Sequence, residues 1–112
     1  MNKSTRWYSN KQEKQIAKAV KGKLQSNSGA GLFKKGDVQN KNWLFEAKTC
    51  MKEQQQFTIK KEWLEKLKNE SFSMRKEYFA LVFNFGKING ENYYILDEKT
   101  FTQILEILSE ME

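Results

Sequence analysis

The stretch GAGLFKKGDVQNKNWLFEAKT, residues 29–49, decides the fold because it contains a hairpin whose second strand has two unlike faces. The polar turn NKN separates a predicted strand over residues 36–39 from one over residues 43–49. Side chains alternate between the faces of a strand, so Glu46 and Lys48 share one face and Phe45 points to the other. A strand that should cover a core thus carries two opposite charges side by side.

The rest of the chain supplies helices and strands in a simple order. Periodicity predicts helices over about residues 10–20, 58–69 and 98–111, and further strands at 23–27, 78–85 and 92–97. Ser9 with Gln12 predicts a capping box for the first helix, and Thr58 is predicted to cap the second. The order αβββαββα predicts an α/β fold with a central mixed β-sheet flanked by helices.

Length and composition limit the classes of protein. With 112 residues, 38% of them hydrophobic, the chain fits one domain over residues 10–112 behind a basic and aromatic arm, residues 1–9. Its apolar runs are too short for a membrane span or a secretion signal, so we expect a cytoplasmic protein without a membrane partner. Because there is one cysteine and no histidine, a metal site must use oxygen ligands.

The net charge of +6 is unevenly distributed. Residues 1–87 hold 19 of the 20 Lys and Arg residues against 8 acids, whereas residues 88–112 hold one lysine against 6 acids. A basic body with an acidic end favours a polyanionic partner on one face, although many charges also simply keep small proteins soluble.

Asp37 gives the charged face of the hairpin a chemical interpretation. Pairing across the turn brings its carboxylate near that of Glu46, and two such carboxylates repel unless they share a cation. A divalent metal can take one oxygen from each acid and a backbone carbonyl near Ala47. Lys48 would then act on a metal-bound water or neutralise charge on a phosphate under attack.

These residues resemble the PD-(D/E)XK nuclease motif. Gly36-Asp37 followed by Glu46-Ala47-Lys48 matches its pattern, with glycine in place of the usual proline, and the element order is that of the restriction-endonuclease-like core. Similarity is greatest to the small Holliday junction resolvases of archaea and phages. The resemblance implies hydrolysis of phosphodiester bonds in branched, four-way-junction DNA by a homodimer that uses Mg²⁺, with Mn²⁺ as a substitute.

The same resemblance implies two further catalytic residues. Glu13 on the first helix corresponds to the family's helix glutamate and would reach the metal directly or through water. Ser28 corresponds to the serine of the family's Ser-Gly-Ala loop. The candidate catalytic set is therefore Glu13, Ser28, Asp37, Glu46 and Lys48.

Contacts with DNA are predicted at two places. Lys34 and Lys35 lie beside the proposed site, where Gly29, Gly31 and Gly36 allow close approach of the backbone to a phosphate that Ser28 would contact. The arm adds cations and rings that suit a branch point, namely Lys3, Arg6, Trp7 and Tyr8. Disorder of an N-terminal arm is the alternative.

Three alternatives stay open at this stage. Glu46 and Lys48 could form a simple surface ion pair on an edge strand. The protein could be another nuclease of the superfamily that cuts nicked, single-stranded or host DNA, or a catalytically silent DNA-binding protein of the same fold. The triplet Asp97 to Lys99 also contains an acid and a lysine, but it is interpreted as the start of the last helix.

Overall fold

A computed structural model describes residues 4–24, 37–86 and 90–112 of the chain. The elements are α1 (Thr5–Val20), β1 (Lys23–Leu24), β2 (Val38–Gln39), β3 (Trp43–Lys48), α2 (Lys61–Ser73), β4 (Tyr78–Phe83), β5 (Tyr93–Ile95) and α3 (Glu98–Glu110). Their order is the predicted one. None of the helices in these ranges is both long and apolar enough to cross a membrane.

The five strands form one mixed sheet in the spatial order β1-β2-β3-β4-β5. Neighbours pair antiparallel except β3 and β4, which run parallel and are joined through α2. Parallel neighbours need such a crossover, because a short turn cannot return the chain to the same end of the sheet. The prediction of a mixed sheet flanked by helices is confirmed.

Strand alternation divides the core between the two faces of the sheet. On one face, Ile16 of α1 packs against Val38, Phe45, Ala80 and Val82. On the other face, the buried cluster is Leu44, Leu67, Phe79 and Leu81, with Trp63 and Leu64 of α2 packed against it. Strand β4 is apolar throughout because helices cover both of its faces.

Helix α1 begins earlier than predicted. Its N-cap is Ser4, whose hydroxyl accepts a hydrogen bond from the Trp7 backbone N–H over 3.2 Å. Ser9 lies inside the helix and donates to the carbonyl of Arg6, so the proposed capping box is wrong. No glycine or proline interrupts residues 5–9, and an earlier cap therefore extends the helix into the predicted arm.

The other helix boundaries also differ in detail. Helix α2 starts at Lys61 after Lys60, which makes no side-chain cap, so Thr58 is not the N-cap. The helix continues four residues beyond the predicted end and stops before Arg75, which has a left-handed backbone with φ of 59°. Helix α3 begins as predicted, because the Asp97 carboxylate accepts from the Thr100 N–H over 2.9 Å.

Candidate active site

The hairpin of β2 and β3 positions the site. Its turn is held by Asn40, whose side-chain oxygen accepts from the backbone N–H of Trp43 over 2.9 Å. The strands pair with Val38 opposite Phe45. The strands are antiparallel, so the start of β2 lies beside the carboxyl end of β3. Asp37, which directly precedes β2, is therefore placed beside that end.

Asp37 is fixed to β3 by two hydrogen bonds. Its backbone N–H donates to the carbonyl of Phe45 over 2.9 Å, and its carboxylate Oδ2 accepts from the N–H of Ala47 over 2.7 Å. The sequence predicted an Asp37 carboxylate close to Glu46. The carboxylate contacts the residue after Glu46, and its charge raises the pKa of Glu46.

Glu46 and Lys48 share the face of β3 that α2 covers, as the alternation predicted. Lys48 Nζ lies 3.6 Å from Glu46 Oε2 and 4.2 Å from the centre of the Trp63 ring. The Glu46 side chain is 15% exposed. The pair is therefore partly sheltered, and β3 lies between two other strands, so a simple edge-strand surface pair does not describe it.

The Glu46 carboxyl has a raised pKa, and burial is the largest cause. Lys48 opposes this shift, whereas Asp37 and Glu70 add to it through like-charge repulsion, and Lys66 lowers the pKa. A carboxyl with a perturbed pKa next to a lysine is more frequent at functional sites than on ordinary surfaces. A bound cation would relieve the repulsion.

Glu70 is an acidic neighbour that the sequence analysis missed. It lies on α2, its side chain is 12% exposed, and it pairs with Lys66 at 3.9 Å. Its Oε2 is buried and has no hydrogen-bond partner among the described residues. The sequence did contain an indication of this position. Trp63, Leu67 and Glu70 are spaced to lie on one side of a helix, so Glu70 falls on the apolar face of α2.

The first helix approaches the site through Gln12. The Gln12 amide donates to the carbonyl of Lys48 over 3.1 Å and accepts from the hydroxyl of Thr49 over 2.9 Å. Glu13, the predicted metal ligand, is the next residue and is half-buried. Its catalytic role stays a prediction.

The predicted DNA contacts divide into two groups. Arg6, Trp7 and Tyr8 lie in the first turns of α1 rather than in an extended arm. The remaining residues fall outside the described ranges, namely Lys3, Ser28, Gly29, Lys34 and Lys35.

The donor set suits a hard cation with few protein ligands. Within residues 4–24, 37–86 and 90–112, no group of three or more acidic, cysteine or histidine side chains is placed to hold a metal ion. Asp37 and Glu46 remain as two adjacent carboxylates. Mg²⁺ commonly binds through one or two carboxylates and keeps several waters, so this pair fits it. The predicted carbonyl ligand at Ala47 stays a prediction.

Comparison with known proteins gives no family. No protein-family model, curated protein or solved structure matches the chain. What the site can do therefore follows from its chemistry. Two carboxylates and an ammonium group at the end of one central strand can hold a cation and neutralise a phosphate.

Proposed function

We propose that the protein is a metal-dependent DNA endonuclease that hydrolyses phosphodiester bonds in branched DNA, a Holliday junction resolvase. The observation that carries the proposal is the position of the Asp37 carboxylate. It accepts a hydrogen bond from the N–H of Ala47, the residue between Glu46 and Lys48 on β3, and these two form the charged pair. The motif spacing and the helix and strand order agree with a restriction-endonuclease-like fold.

Each residue of the site has a distinct part in the proposed chemistry. Asp37 and Glu46 would hold Mg²⁺, or Mn²⁺ in its place, and the bound ion supplies Lewis acidity and a more acidic water. Lys48 is held between the Glu46 carboxylate and the Trp63 ring. From there its ammonium group neutralises the charge that develops on the attacked phosphate.

A homodimer is part of the proposal because a four-way junction needs two symmetric cuts. Helix α3 leaves an apolar stripe exposed, with Phe101 51% exposed, Leu105 46% and Leu108 53%. A second copy that covers this stripe would keep the basic face free for DNA. Since α3 carries much of the acidic excess, the interface would lie away from the phosphates.

A cleavage assay tests the proposal. A synthetic four-way junction and a linear duplex built from the same arm sequences are incubated with the protein in Mg²⁺ or in EDTA. We expect paired cuts in the junction, in Mg²⁺ only. Equal cutting of both substrates would instead indicate a nuclease of other specificity. Glu46→Gln, purified in parallel, controls for contaminating nuclease.

One observation favours a second candidate, a catalytically silent DNA-binding protein of the same fold. The part of the chain that the structure describes offers two adjacent carboxylates rather than a three-ligand metal group. Binding of the junction without cleavage in either Mg²⁺ or Mn²⁺ would support this candidate.

A further inference from the structure

A pocket of about 320 Å³ lies where α1 crosses the carboxyl ends of the parallel strands β3 and β4. Residues just after these strands, Thr49 and Asn84, line it together with residues of α1. Ligands of open α/β sheets characteristically bind at the carboxyl ends of parallel strands. The pocket is on the α1 side of the sheet, whereas Lys48 contacts Trp63 on the α2 side.

The floor of the pocket is a preorganised amide network. Gln12 is 3% exposed and donates to the side-chain oxygen of Asn92, which also accepts from Asn84 over 3.2 Å. Asn84 in turn accepts from the Gly86 N–H. These bonds lock the amide orientations, so the floor is rigid and polar before any ligand arrives.

The rim of the pocket combines rings, a cation and an amide. Trp7 is 40% exposed and meets Tyr8 edge to face at 4.9 Å, and Lys11 Nζ lies 5.3 Å from the centre of the Trp7 ring. Gln15 is exposed on the same helix and also lines the pocket. Among the described residues that line the pocket, none is acidic.

We propose that this pocket binds an unpaired nucleobase of a DNA strand. The base stacks on Trp7, the Gln15 amide hydrogen-bonds its edge, and Lys11 contacts the adjoining phosphate. Aromatic rings with a nearby cation are the usual platform for unpaired bases, and an amide can both donate to and accept from a base edge. The volume lies at the low end of ligand pockets, roughly 300 to 1,000 Å³, which suits one nucleotide.

Gln12 connects the pocket to the candidate active site. The amide that forms the pocket floor also donates to the carbonyl of Lys48. A base held above this floor would place its own backbone at the end of β3. The inference thus rests on the proposed function, since it takes the captured base from the DNA strand that is cut.

Binding is tested apart from cleavage, with Glu46→Gln as the background and EDTA present. The probe is a fluorescein-labelled single-stranded octanucleotide, and its matched control is an abasic octamer with the same sugar-phosphate charge. We expect the base-bearing probe to bind more tightly than the abasic one at equal salt. Equal affinity of the two probes would overturn the proposal.

Variants of Trp7 then test whether the base binds in this pocket. Trp7→Ala should weaken binding of the base-bearing probe by about five- to 150-fold, the range for loss of one stacking ring, and leave the abasic probe unaffected. Trp7→Phe should retain most of the affinity. Phe72→Ala is the matched control, because Phe72 is 85% exposed and lies outside the pocket lining. Equal weakening of both probes by Trp7→Ala would contradict base capture.

Two further results keep the inference separate from the proposed function. Gln15→Ala removes an exposed side chain, so it tests the pocket even if Trp7→Ala unfolds α1, and it should also weaken only the base-bearing probe. Base-dependent binding by a protein that never cleaves DNA would support the pocket and refute the nuclease. Cleavage of DNA with no base-dependent binding would support the nuclease and refute the pocket.

Discussion

The carboxylate of Asp37 accepts a hydrogen bond from the backbone N–H of Ala47 over 2.7 Å. One side chain thus both completes the pairing of the hairpin and brings a second negative charge to the Glu46 carboxyl. Asp37 therefore has a structural role and a candidate catalytic role, and variants that preserve one and remove the other can separate them.

Asp37→Ala should destabilise the protein by about 1 to 3 kcal/mol, because the Ala47 N–H loses its acceptor in a part-buried position. Asp37→Asn keeps an acceptor oxygen at that position and should cost clearly less. Urea unfolding of the wild type and both variants, with midpoint and slope compared, measures the difference. Equal stability of the two variants would show that the hydrogen bond contributes little.

Asp37→Asn, Glu46→Gln and Lys48→Ala should each reduce junction cleavage in Mg²⁺ by at least about 10²- to 10³-fold, since each removes a charge from the reacting centre. Junction binding should persist, and the two acid variants should bind as tightly or more tightly, because negative charge facing phosphates is lost. Single-turnover cleavage and fluorescence anisotropy measure the two effects. Glu106→Gln on exposed α3 is the matched control, and wild-type cleavage by any site variant would refute the assignment.

Glu46 should make the wild type less stable relative to Glu46→Gln as the pH rises. The folded state raises the pKa of this carboxyl above its ordinary value of 4.5, so the folded protein holds the proton more tightly than the unfolded chain. The contribution of the Glu46 carboxyl to the free energy of unfolding is fully present below pH 4.5, and it is lost as the pH rises through the pKa of the folded state. Glutamine does not titrate there, and other acidic groups largely cancel in the comparison.

Urea unfolding of the wild type and Glu46→Gln at pH 4, 5, 6 and 7, without divalent metal, tests this dependence. The free energy of unfolding of Glu46→Gln minus that of the wild type should increase across the series, by about 1.4 kcal/mol for each unit by which folding raises the pKa. A difference that is constant or falls with pH contradicts the raised pKa. An inactive variant that is more stable than the wild type fits a residue retained for function.

The double variant Leu105→Asp/Leu108→Asp should convert the proposed dimer to a monomer, because it places charges within the exposed apolar stripe of α3. Sedimentation at micromolar concentration measures the assembly state, and a supercoiled cruciform plasmid reports whether both strands are cut in one binding event. Leu24→Asp is the matched control, since Leu24 is 44% exposed and lies on β1. A monomeric wild type that only nicks the plasmid would refute the resolvase and leave a nuclease possible.

The sequence predicted local features well because they depend on short-range periodicity. The order of helices and strands, the two faces of β3 and the start of α3 at Asp97 all follow from neighbouring residues. Boundaries were less predictable. Ser4 and Ser9 both precede helical residues, and only the actual chain path selected Ser4 as the cap.

Part of the candidate site could also be predicted from the sequence. Asp37 came near Glu46 because a hairpin turn fixes the register of its two strands. Glu70 was missed because its distance from Glu46 depends on how α2 lies across the sheet. That placement results from packing of Trp63 and Leu67, whereas the helical spacing indicates only that Glu70 lies on the apolar face of α2.

By itself, the sequence determined the order of the elements, the charged face of β3 and the hairpin that joins Asp37 to it. Tertiary structure alone decided that Lys48 lies against Trp63, that Gln12, Asn84 and Asn92 meet beneath a pocket, and that the apolar stripe of α3 stays exposed. The physical reason is separation along the chain. Periodicity and turn chemistry act over a few residues, whereas Gln12 and Asn92 come together only when two helices and five strands have packed.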